Sequence, residues 1–136
     1  MRESQIPFDR VREALISAFP ELWERIEATF GSYYNPEEET PEAYPIFEDV
    51  VQKMVFELLE GHSNEDLLIR LFLFFEDMAS SPDKNVRDLL QIAILENIVP
   101  KRENVQQAWK YMQPKTKEMA RSEARQQGRE QNLPLD

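Results

Sequence analysis

Apolar residues recur along most of the chain with the period of an α-helix. Val11, Ala14, Leu15 and Ala18 fall on one face of a helix that starts at Pro7 or Phe8. Pro20 suits the first turn of a second helix, where Leu22, Trp23, Ile26 and Phe30 repeat at helical spacing and Gly31 offers a stop. A third helix is expected from Pro45 or Ile46 to Glu60, with Phe47, Val50, Val51, Met54 and Leu58 as its stripe and Gly61 as its end. Ser63 or Asn64 then caps a fourth helix, roughly Glu65 to Ser80, whose residues are apolar nearly all round. Ser81 and Pro82 read as the N-cap and first turn of a fifth, which runs to about Val99 with Val86, Leu89, Leu90, Ala93, Ile94 and Ile98 on its core side. Phe72, Phe75, Leu90 and Ile94 are the expected centre of the core.

Beyond Pro100 the pattern thins. Glu103 to Met112 keeps a narrow stripe of Val105, Ala108, Trp109 and Met112, enough to dock a helix. Lys115 to Gln127 offers only Met119, Ala120 and Ala124, the composition of a solvated or frayed helix. The expected organisation is one helical domain over 1–127 and a disordered tail over 128–136. Leu58-Leu59-Glu60, Phe74-Phe75-Glu76 and Ile94-Leu95-Glu96 each put a glutamate after two large apolar residues near a helix end. Five to six helices of similar length with short connections suggest an all-α fold of stacked antiparallel hairpins, HEAT- or armadillo-like, or an irregular bundle.

Composition narrows the function classes. With 136 residues, 41% of them hydrophobic, the chain can build one real core. Three glycines and no cysteine leave no glycine-rich phosphate loop, thiolate metal site or cysteine nucleophile. The N-terminus has no apolar leader, so a cytoplasmic location is expected. Leu67 to Phe75 is the longest apolar run and Arg70 interrupts it, far short of the ~20 residues of a membrane span.

The net charge of −10 is unevenly spread. From Pro20 to Asp66, 13 acidic residues face only Arg25 and Lys53, a balance of −11, whereas residues 101–136 carry 8 basic and 5 acidic side chains. Such an acidic field repels nucleic acid and attracts a basic protein surface.

Catalytic and metal chemistry find little footing. His62 is the single histidine and lies at an inter-helix turn. No Glu-x-x-His pair exists for a di-iron bundle, and Glu37 to Glu42 lacks the glycine of an EF-hand loop. No catalytic residue, metal or cofactor is expected. Glu76 and Glu96 sit among core residues, where a carboxylate needs Arg70, Arg87 or an orphan backbone N–H as a partner. The sharpest feature is the long segment from Ser32 to Pro45, with three prolines among acidic and aromatic residues. Its Tyr33, Tyr34 and Tyr44 offer rigid anchors, and Glu37, Glu38, Glu39, Glu42, Glu48 and Asp49 supply charge, a combination suited to a protein interface.

The stretch Leu71 to Ile98, LFLFFEDMASSPDKNVRDLLQIAILENI, resembles a segment of small bacterial all-α proteins found among the immunity proteins of polymorphic toxin systems. An apolar helix ending in Phe75-Glu76, a Ser/Asp turn and a second helix ending in Leu95-Glu96 carry the likeness. It implies a cytoplasmic immunity protein that binds a basic toxin domain, such as a nuclease, and occludes it. The alternative expectation is an adaptor that holds a partner helix or peptide in an apolar groove between the third, fourth and fifth helices.

Overall fold

The computed structural model describes residues 6–30 and 43–134. Among these the protein is all-helical, with seven helices and no strand. A 3₁₀ turn, Phe8–Arg10, leads into α1 (Val11–Ala18), followed by α2 (Leu22–Phe30), α3 (43–61), α4 (Glu65–Ala79), α5 (84–98), α6 (Arg102–Trp109) and α7 (Pro114–Gln127). A last 3₁₀ turn covers Glu130–Asn132.

The core forms where the periodicity places it. Phe72, Phe75, Leu90 and Ile94 are fully buried, together with Phe19 and Phe47. Phe72 meets Phe75 edge-on at 5.1 Å between ring centroids, and Phe19 meets Phe74 at 5.7 Å, geometries that favour the ring quadrupoles. The fourth helix is not buried all round, however. Ile69 and Leu73 are 40% and 41% exposed, because α4 lies at the surface along one face.

Helix ends follow local chemistry with two departures from expectation. His62, not Gly61, takes the left-handed conformation that closes α3, with φ 48°. Asn64, also left-handed, caps α4 by accepting from the Leu67 N–H. α5 is capped by Asp83 and not by Ser81: Asp83 Oδ1 accepts from Asn85 N at 2.9 Å, and Oδ2 accepts from Phe8 N at 2.8 Å. The same carboxylate therefore starts α5 and pins the N-terminal turn. Ser81 instead donates to the Ile6 carbonyl at 3.1 Å.

α3 and α5 each contain a widened i→i+5 turn, at Phe47–Val51 and Gln91–Leu95. Such a turn leaves a carbonyl short of its usual donor. Here the two turns pack together, and Gln52 Nε2 of α3 donates to the Ala93 carbonyl of α5 at 2.8 Å. Asn97 Nδ2 gives the same oxygen a second, longer bond.

The seventh helix is the main addition to the expected count. α7 docks through Thr116, Ala120, Glu123 and Ala124, all buried, against α4 and α5. Its contact side chains are small, so the helix approaches closely without a visible apolar stripe. Where the sequence suggests a free tail, residues 128–134 turn back onto the body. Gly128 adopts φ 67°, Arg129 N bonds to the Ala124 carbonyl at 2.8 Å, and buried Asn132 donates to the Val99 carbonyl at 2.9 Å. No helix among the described residues is long and apolar enough to cross a membrane.

Candidate interaction surfaces

Of the nine residues expected to bind a partner, Tyr33, Tyr34, Glu37, Glu38, Glu39 and Glu42 lie outside the described residues. The other three sit at the start of α3. Tyr44 is half-buried, its ring 6.2 Å from that of Phe8. Burial, and then the neighbouring Asp88 and Glu48 carboxylates, push its phenol above the ordinary value, with Lys84 opposing. Glu48 and Asp49 are exposed. They fall on the outer side of the widened turn whose Phe47, Val50 and Val51 enter the core.

Asp49 also lines a groove of roughly 200 Å³ between α2 and α3, with Arg25, Thr29, Lys53 and Glu57. Arg25 forms an ion pair with Glu57 across this groove, so its charge is already met. α2 adds Glu24 and Glu27, both exposed. At the far end of α2, Glu21 accepts from Arg70 at 2.9 Å. The Arg70 guanidinium, through that bond, holds the Glu21 carboxyl below the ordinary carboxylate range. Arg70 also donates to the Ala18 carbonyl and lies over the Phe19 ring at 4.9 Å. It is thus a tie between α4 and the α1–α2 corner, and not the partner of Glu76.

A second surface was not singled out by the sequence. Along the exposed face of α4 a groove runs between that helix and the α6–α7 connection. One end, about 120 Å³, is bordered by His62, Ser63, Glu65, Gln107, Lys110 and Tyr111. The other, about 290 Å³, is floored by Ile69 and Leu73 and shares Glu65, Lys110 and Tyr111 with the first. Tyr111 stacks on Phe72 at 6.2 Å, and burial, then the Glu65 carboxylate, raise its phenol above the ordinary value. Between the third, fourth and fifth helices, where an adaptor groove is expected, the buried side chains pack into the common core cluster. The signal for the real one was the alternation of exposed Glu65, Ile69 and Leu73 at helical spacing, hidden by the high apolar content of α4.

The two conspicuous glutamates have different fates. Glu76 Oε1 accepts from Thr116 N and from Thr116 Oγ1, both at 2.9 Å, while Oε2 accepts from Lys115 N at 3.0 Å. An acidic side chain on α4 thereby satisfies the orphan N–H groups at the start of α7, where the helix dipole also favours negative charge. Glu96 is exposed. A third carboxylate, Glu123 on α7, is 5% exposed and held by the amides of Gln91 and Gln127 at 2.9 and 2.8 Å. His62 borders the α4 groove, and no cluster of three or more metal-ligating side chains occurs among the described residues.

The basic C-terminal third has its own surface. Lys117 and Arg121 of α7 both stand over the Trp109 ring at 5.2 Å, and Lys101 stands over Phe56 at 4.7 Å. No curated protein and no solved structure matches the chain. One family does, described as a domain of unknown function, DUF7674, over residues 12–128. That span takes in α1 to α7 and so both grooves, the trans cap at Glu76 and the docked C-terminal helix. The chain belongs to the DUF7674 family.

Proposed function

We propose that this protein is a binding module for a basic protein surface and that it works by stoichiometric association, without catalysis. The observation that carries this is the exposed acidic character of α2 and α3. Glu24, Glu27, Glu48 and Asp49 face solvent there against a single exposed lysine, Lys53, while Arg25 and Glu57 cancel as an ion pair. A surface of one sign raises the rate of encounter with the opposite sign and rejects like-charged partners.

In its narrower form the proposal is a cytoplasmic immunity protein that occludes a cognate bacterial toxin domain, for instance a nuclease with a basic cleft. What supports the narrower form is the likeness of the Leu71–Ile98 segment to such proteins, together with this charge. The proposal also includes a HEAT-like stacking of helix pairs. Support for it lies in the succession of α3, α4 and α5 through connections at 62–64 and 80–83.

The test is co-expression with the product of the neighbouring gene. Growth should be rescued by the wild-type chain, and the two proteins should co-purify at equimolar ratio. A variant with Glu48 and Asp49 changed to lysine should rescue less well. Failure of the wild-type chain to rescue or to co-purify removes the immunity reading.

A further inference from the structure

We draw no further inference here: the strongest candidate, the apolar floor that exposed Ile69 and Leu73 give the groove along α4, carries nothing, because Glu65 and Lys110 border both ends with opposite charges and nothing in the structure shows what covers it.

Discussion

Glu76 shows how much a single side chain can decide. It follows Phe74-Phe75 on a core helix, and burial there requires a partner. The need was legible in the sequence, as was an orphan N–H among the possible partners. Which helix would supply that N–H was not, because nothing near Pro114 in the linear sequence points to residue 76. The carboxylate bonds two backbone N–H groups and the Thr116 hydroxyl at 2.9–3.0 Å, so it acts as an N-cap supplied from another helix. Glu76→Ala should therefore destabilise the fold by about 1–3 kcal/mol, the combined scale of a lost cap and unsatisfied N–H groups. Glu76→Gln should lose less, since an amide oxygen still accepts. Urea denaturation of the two variants reads this directly. Equal stability of Glu76→Ala and the parent would mean that water replaces the carboxylate at no cost and that the cap contributes nothing.

At the level of elements, the strong stripes of α1 to α5 translated into helices with buried faces, because large side chains at 3.6-residue spacing leave few alternatives. The misread elements are those whose packing uses small or polar groups. α7 buries Thr116, Ala120 and Ala124, which contribute little to any apolar pattern yet permit close approach. The turn at Glu130–Asn132 is held by an amide, through Asn132 Nδ2 on the Val99 carbonyl and Gln106 Nε2 on the Asn132 carbonyl. Partnerships of that kind have no linear signature. The paired widened turns of α3 and α5 belong to the same class, since the bond from Gln52 to the Ala93 carbonyl exists only once both helices are in place. Truncation after Gly128 should thus cost about 1–3 kcal/mol, from a buried carbonyl left without its donor. Thermal or urea unfolding checks it, and an unchanged midpoint would restore the picture of an inert tail.

The whole molecule is electrically divided. The acidic balance of −11 between Pro20 and Asp66 sits opposite in sign to the 8 basic and 5 acidic residues of 101–136. This division was plain in the sequence. What it did not reveal was that Tyr44 leans on Phe8, half-buried, while Glu48 and Asp49 stay at the surface. Nor did it reveal that Arg25 is consumed by Glu57. Long-range charge is a sum over residues and survives ignorance of the fold, whereas the exposure of one ring depends on its neighbours. If the acidic surface steers a basic partner, its contribution lies in the encounter rate, since exposed charges act over about 8 Å at physiological ionic strength and hold little once contact is made.

The association rate constant with the co-purifying partner, measured as a function of salt, tests this claim most directly. For the parent chain it should fall steeply as ionic strength rises from about 0.05 to 0.5 M, as screening shortens from roughly 14 to 4 Å. Lysines at Glu48 and Asp49 should lower it at low salt, with the dissociation rate nearly unchanged and the two curves converging at high salt. An association rate flat in salt, and equal for parent and variant, would contradict the account.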